Sequence, residues 1–191
     1  MLYRILAIVL ILAATVYYSL YQRDSLQSQI VSDTASTSVL TQLPDTQFET
    51  LEQKPFGLYD FFQKESPELV IVHYWGTWCG PCEAELPDLI KFIKRFEKQS
   101  GVKFLLVAVD DELVKVKKHV AGLPPLGANV HWLIDNNKIH REKFGTTRVP
   151  ETYVFSSDKK MLRKYTGPQE WNKSMFFQTF DEFIQISTTK L

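Results

Sequence analysis

The fold is decided by residues 69–87, which read LVIVHYWGTWCGPCEAELP. The first seven form a short apolar run rich in β-branched side chains, which predicts a buried central strand. From 81 to 100 apolar side chains recur at helical spacing, and Gly101 then ends the predicted helix. Cys79 and Cys82 therefore stand at the junction between a strand and a helix.

These two cysteines are the only ones in the 191 residues. The thiolate is the reactive form in disulfide exchange, and the unpaired N–H groups and dipole of a helix N-terminus stabilise it. Cys79, where the helix begins, is therefore predicted to be the attacking thiol, and Cys82, one turn later, the resolving thiol. Gly80 lets a partner chain approach, and Pro81 suits the first helical turn. Such a pair needs no cofactor beyond its own redox-active disulfide.

Metal binding is the main alternative use of a Cys-x-x-Cys pair. A structural zinc site needs a second pair of ligands, and the four histidines of this chain show no close paired spacing. The runner-up function is a copper-handling module, in which Cys79 and Cys82 bind Cu(I) as soft ligands. No methionine or histidine cluster flanks the pair, so we expect no metal site.

Two ionisable side chains near the cysteines are candidates for moving protons. Glu85 lies three residues after Cys82 on the apolar stripe of the predicted helix, where burial raises the pKa of a carboxylate and lets it exchange a proton with the thiol. On spacing alone, a solvated acid that complements the helix dipole is an equal alternative. His73 lies on a covered face of the predicted strand, either as a satisfied core histidine or as a proton relay to Cys82. Trp78 is expected at the rim of the site, where a substrate binds.

The remainder of the domain alternates strands with helices and then ends in a hairpin and a helix. Strands are predicted at 102–109, 130–134, 152–156 and 161–165, helices at 111–120, 136–144 and 169–186, and an opening hairpin at 47–51 and 56–59. This pattern predicts an α/β fold, with a central mixed sheet flanked by helices.

The N-terminus predicts attachment to a membrane. Residues 5–21 carry no charge, so 1–22 are predicted to form a single transmembrane helix, either an anchor or an uncleaved signal. Residues 23–46 are rich in Ser, Thr and Gln and predict a flexible tether. The globular domain is then expected over 47–191. Arg4 favours a cytoplasmic N-terminus, which places the domain outside the membrane.

The composition limits the classes of function that this protein can have. A hydrophobic share of 45% and an aromatic share of 13% indicate a packed globular protein. Lys and Arg together number 22, as do Asp and Glu, so no broad positive field is available to hold phosphates. Nucleic acid is therefore excluded as a partner.

Two motifs resemble the thioredoxin superfamily, and specifically its TlpA/ResA/CcmG (DsbE)-like membrane-tethered members. The first is VHYWGTWCGPCEAELP at 72–87, and the second is FGTTRVPET at 144–152. The resemblance implies a thioredoxin-like fold, a cis Pro150 that faces the cysteine pair, and a Val149 that offers backbone groups to an extended partner segment. It also matches Glu85 to a carboxylate that assists the thiol chemistry. His73 departs from the pattern, because thioredoxins have Asp at this position and many tethered relatives have Asn.

The resemblance also implies a function. These proteins are thiol-disulfide oxidoreductases that reduce protein disulfides on the outer side of the bacterial cytoplasmic membrane, often on apocytochrome c during cytochrome c maturation. Their electrons come from a membrane donor. We therefore expect a protein-disulfide reductase whose catalytic domain faces the periplasm or the cell exterior. The sequence itself does not set the direction of electron flow, because similar motifs occur over a wide range of reduction potentials.

Overall fold

The computed structural model describes residues 40–109, 112–135 and 139–188, together with Tyr3 and Tyr18. Within this part of the chain the strands are β1 (Gln47–Thr50), β2 (Pro55–Gly57), β3 (Leu69–Trp75), β4 (Val102–Val109), β5 (Val130–Asp135), β6 (Glu151–Ser156) and β7 (Met161–Thr166). The helices are α1 (Leu58–Glu65), α2 (Gly80–Arg95), α3 (Leu113–Ala121), α4 (Ile139–Phe144) and α5 (Ser174–Thr188).

The strands form one mixed sheet in the order β2-β1-β5-β4-β3-β6-β7. The neighbours β3 and β4, and β4 and β5, run parallel, whereas the other neighbouring pairs are antiparallel. The predicted mixed sheet is confirmed, and β3 lies between β4 and β6. The strand that leads to the cysteines is therefore held on both sides.

Two apolar clusters cover the faces of the sheet. Successive side chains of a strand point to opposite faces, so Ile71 and Trp75 belong to one cluster while Val72 and Tyr74 belong to the other. The first cluster takes its helical residues from α2, α3 and α5, and the second takes them from α1 and α4. All seven residues of β3 are buried, as expected for a strand covered on both faces.

The opening hairpin is present, but its second strand covers Pro55–Gly57 and not the predicted residues 56–59. Only Pro55–Gly57 pairs with β1, and the chain then turns directly into α1. Leu58, Phe61 and Phe62 are buried on one side of that helix at i, i+3 and i+4 spacing. Burial of this stripe against the sheet outweighs the β propensity of the aromatic residues.

Two predicted helices are shorter in the structure. The helix of the cysteine motif ends at Arg95, with Phe96 as its C-cap, and does not extend to residue 100. The final helix begins at Ser174 and not at Gln169, and the backbone N–H of Gln169 donates to the Glu85 side chain of α2. The segment before α5 therefore packs over the cysteine-bearing helix.

The folded unit begins earlier than residue 47. A compact unit starts at Leu40, and Leu43 is buried with its N–H donating to the carbonyl of Lys159. Residues 40–46 were predicted as tether, but an apolar side chain and backbone hydrogen bonds to the β6–β7 turn hold them on the domain. The predicted anchor, apart from Tyr3 and Tyr18, lies outside the described residues. None of the described helices is long and apolar enough to cross a membrane.

Candidate active site

The cysteine pair occupies the turn between β3 and α2. The N–H of Cys79 donates to the carbonyl of Gly76 at 3.1 Å, which closes the turn after the strand. Cys79 then adopts an extended backbone as the N-cap residue of α2, and Pro81 lies in the first turn. Cys79 and Cys82 are buried and form a disulfide, with their Cα atoms 5.3 Å apart. The structure thus brings the two predicted thiols together in one bond.

The helix N-terminus acts directly on Cys79. Cys79 Sγ accepts a hydrogen bond from the backbone N–H of Cys82 at 3.3 Å. That N–H is one of the donors that the first helical turn leaves without a partner inside the helix. When the disulfide is reduced, the same donor and the positive end of the helix dipole favour negative charge on Cys79.

The rim of the site is formed by Trp78 and Gly80. The Trp78 side chain is 58% exposed, and its Nε1–H donates to the carbonyl of Val109 at 3.1 Å. A Cβ on Gly76 would lie 2.8 Å from that Nε1, so glycine at 76 makes room for the indole. A Cβ on Gly80 would meet nothing within 4 Å, so this position faces open space beside the disulfide.

The second motif lies against the first. The Val149–Pro150 peptide bond is cis, as the resemblance implied, and the Val149 carbonyl oxygen lies 3.7 Å from Cys79 Sγ. Just after it, buried Glu151 accepts hydrogen bonds from Tyr153 at 2.8 Å and from Thr166 at 3.0 Å. These contacts fix the start of β6, next to the Val149 carbonyl that lies beside Cys79 Sγ.

Glu85 is buried on α2, which is one of the two alternatives that its spacing left open. Its Oε2 accepts hydrogen bonds from the backbone N–H of Gln169 at 2.7 Å and from Trp171 Nε1–H at 3.0 Å. Burial raises the pKa of Glu85, and these two hydrogen bonds oppose the rise. The alternative of a solvated acid at the first turn is excluded by this burial. The carboxyl can therefore exchange protons nearer to neutral pH than an exposed glutamate.

His73 is buried on β3 directly opposite Thr152 of β6. Its Nδ1 and the Thr152 hydroxyl are 2.9 Å apart, and its Nε2 lies 3.7 Å from Glu85 Oε1. Burial lowers the pKa of His73 to about 3, so the ring is neutral at physiological pH. The position is that of a core histidine, yet one ring nitrogen faces the buried carboxyl.

Sequence reasoning found both cysteines, Glu85 and the proline loop, but it missed the groups that hold Glu85. Gln169 and Trp171 are 84 and 86 residues away in the chain, and no spacing rule connects them to the helix. Trp171 resembles any other core tryptophan in the sequence. Only its Nε1–H, which usually finds an acceptor when buried, marks it as a partner for a polar group.

The described residues contain no group of three or more His, Cys, Asp or Glu side chains that could hold a metal ion. The two cysteine sulfurs are bonded to each other. No observation in the described part of the chain favours the copper-handling alternative over disulfide exchange.

Comparisons with known proteins agree with this geometry. The Redoxin family matches residues 39–179. The chain is 27% identical to the thiol-disulfide oxidoreductase ResA of Geobacillus thermodenitrificans over 160 residues, which cover 84% of each chain. It is 24% identical to ResA of Bacillus subtilis, over 84% of this chain and 82% of that one.

Solved structures show the same fold at lower identity. A thiol:disulfide interchange protein of the thioredoxin family from Chlorobium tepidum matches with a TM-score of 0.57 and 21% identity, over 77% of this chain and 95% of that one. A secreted disulfide oxidoreductase of Mycobacterium tuberculosis matches with a TM-score of 0.56 and 16% identity, over 74% of this chain and 96% of that one. The chain therefore belongs to the Redoxin family and is a thiol-disulfide oxidoreductase of the thioredoxin superfamily, in its TlpA/ResA/CcmG-like group.

Proposed function

We propose that this protein is a reductase of protein disulfides on the outer side of the bacterial cytoplasmic membrane. The observation that carries the proposal is the placement of Cys79 Sγ. This sulfur accepts a hydrogen bond from the N–H of Cys82 at the helix N-terminus. It lies 3.7 Å from the carbonyl oxygen of Val149, beside an exposed rim. An attacking sulfur needs this combination of thiolate stabilisation and room for a partner chain.

The reduction proceeds in two exchange steps. The Cys79 thiolate attacks one sulfur of the partner's disulfide, which forms a mixed disulfide and releases the partner's other sulfur as a thiolate. Cys82 then loses its proton and attacks Cys79 Sγ, which forms the Cys79–Cys82 disulfide and releases the second sulfur of the partner. Two electrons pass to the partner, and its two sulfurs take up protons as thiols.

We assign to Glu85 the transfer of the proton of Cys82. Glu85 lies one helical turn after Cys82, and its carboxylate is held away from bulk water with a raised pKa. In the resolving step Glu85 accepts the proton from the Cys82 thiol, and it returns a proton when a donor reduces the disulfide again. Trp78, Gly80, Pro81 and the backbone of Val149 form the surface that receives the partner.

The location and the partners follow from the N-terminus and the resemblance. An uncharged apolar run at 5–21 supports a membrane anchor at 1–22, and the polar stretch that follows supports a tether that keeps the domain near the membrane. The resemblance supports apocytochrome c as a substrate before haem attachment, and a membrane protein as the electron donor.

Trapping tests this proposal. In Cys82→Ser the first exchange step is intact but the second is blocked, so the partner should remain on Cys79 as a mixed disulfide. The matched control, Cys79→Ser, should trap far less. We expect the trapped proteins to be extracytoplasmic and to contain a cysteine pair. Equal trapping by both variants, or trapping of cytoplasmic proteins alone, would contradict the assignment.

A further inference from the structure

A buried histidine and a buried glutamate face each other behind the cysteine pair. His73 on β3 and Glu85 on α2 are both almost inaccessible to solvent, and His73 Nε2 lies 3.7 Å from Glu85 Oε1. Approach of roughly 0.7–0.9 Å would make this an ordinary hydrogen bond. A polar pair at this depth needs a donor and an acceptor in every protonation state, because an unpaired buried group is costly.

The two oxygens of Glu85 are not equivalent. Oε2 accepts from two N–H donors, those of Gln169 and Trp171, so its lone pairs are occupied. Oε1 is buried and has no hydrogen-bond partner among the described residues. A proton bound by Glu85 therefore sits on Oε1, the oxygen that faces His73.

We propose that His73 is a positioning residue that serves Glu85 Oε1 in both of its protonation states by changing tautomer, with Thr152 serving the other ring nitrogen. This inference rests on the proposed role of Glu85 as the proton carrier. Imidazole suits the task because either nitrogen can carry the proton while the ring stays neutral. The Thr152 hydroxyl, 2.9 Å from Nδ1, can donate or accept.

The two states differ by one proton. When Glu85 is protonated, Oε1–H donates to Nε2, and Nδ1–H donates to the Thr152 oxygen. When Glu85 is ionised, Nε2–H donates to Oε1, and the Thr152 hydroxyl turns to donate to Nδ1. The pair holds two protons in the first state and one in the second. The proton that leaves goes to the sulfur of Cys82 when a donor reduces the disulfide.

The other groups around the pair do not titrate in the same range. At the start of α2, the N-cap residue Cys79 and Cys82 do not titrate in the oxidised protein, because they are bonded to each other. From β7, Tyr165 packs its ring against Trp171, and burial raises the pKa of its hydroxyl above the ordinary value of 10.0. Leu106 of β4, opposite His73, is apolar. A change of the ring over the pH range in which Glu85 titrates therefore reports Glu85.

Nitrogen NMR of the imidazole rings tests this inference, because the ¹⁵N shifts of Nδ1 and Nε2 identify the tautomer. The full chain, oxidised and labelled at histidine, is titrated as wild type, as Glu85→Gln and as the control Glu83→Gln. Glu83 lies on the same helix but pairs with His119 at 3.4 Å. In the wild type we expect His73 to pass from the Nδ1–H form to the Nε2–H form as the pH rises. The midpoint of this change should equal the midpoint of the Glu85 carboxyl titration.

The variants separate the inference from the proposed function. Glu85→Gln should hold the Nδ1–H form at every pH. Its carbonyl oxygen takes the place of Oε2, which accepts from Gln169 and Trp171, so its NH₂ group faces Nε2 and donates to it. Glu83→Gln should keep the switch. A single His73 tautomer throughout the Glu85 titration, or an imidazolium ring, would overturn the inference. The rate of disulfide exchange in Glu85→Gln tests the proposed function independently of the tautomer measurement. An unchanged pH–rate profile beside a clear tautomer switch would refute the catalytic role and leave the pairing intact.

Discussion

Replacement of Trp171 by Phe removes one hydrogen bond from Glu85 and keeps an aromatic ring in place. The indole is fully buried and donates Nε1–H to Glu85 Oε2 at 3.0 Å. A hydrogen bond to a charged group contributes about 1.5–3 kcal/mol, and 1.36 kcal/mol corresponds to one pKa unit. Because the Gln169 N–H at 2.7 Å remains, we take the lower part of this range. The pKa of Glu85 should therefore rise by about 1–1.5 units in Trp171→Phe.

The assay is a pH titration of the Glu85 carboxyl by ¹³C NMR in the oxidised protein. Trp75→Phe is the matched control, because the Nε1 of Trp75 is also buried but has no hydrogen-bond partner among the described residues. Both variants shrink a buried indole, so both lose packing, but only Trp171→Phe should move the titration of Glu85. A fall or no change in that pKa, or an equal rise in the control, would refute the account of how Glu85 is held.

Four further predictions concern the chemistry, the stability and the N-terminus of the chain. In Glu85→Gln the rate of disulfide exchange should fall by about 10 to 10⁴ fold and its pH dependence should flatten, as stopped-flow kinetics can check. Because the folded protein raises the pKa of Glu85, the free energy of unfolding should decrease as pH rises through that pKa in the wild type but not in the variant; parallel curves would contradict this. The purified protein should contain no stoichiometric zinc or copper, and metal that is lost in Cys79→Ser would overturn the metal-free mechanism. Finally, N-terminal sequencing should find residues 1–22 retained in the membrane fraction, whereas soluble protein that begins near Ser25 would refute the anchor.

The central part of the fold could be predicted because its signals are local. Leu69–Trp75 and Val102–Val109 are apolar runs that only His73 and Lys103 interrupt, and the structure has strands with the same bounds. The start of α2 is equally local, since proline is favoured in the first turn of a helix, where Pro81 lies. Helix α1 was missed although its apolar residues had helical spacing, because Phe56 and its neighbours also fit a short strand.

The surroundings of Glu85 could not be predicted from the sequence. Its partners come from a segment that the periodicity placed in the final helix, whereas in the structure Gln169 and Trp171 precede that helix and donate their N–H groups to Glu85. The role of His73 was open for a similar reason. Strand alternation predicted that His73 lies on a covered face of the sheet. The 3.7 Å distance between its Nε2 and Glu85 Oε1, however, depends on how α2 packs over the sheet. Such packing distances are a property of the whole core.

The central claim is that Cys79 is the attacking thiol, and the pH dependence of alkylation tests it most directly. The reduced protein is treated with iodoacetamide over a range of pH, and the modified cysteine is identified by mass spectrometry, with Cys79→Ser and Cys82→Ser as references. We expect Cys79 to react first, with a pKa below the ordinary value of about 8.5, because the Cys82 N–H and the helix N-terminus stabilise its thiolate. Faster modification of Cys82, or a pKa of Cys79 at or above the ordinary value, would contradict the claim.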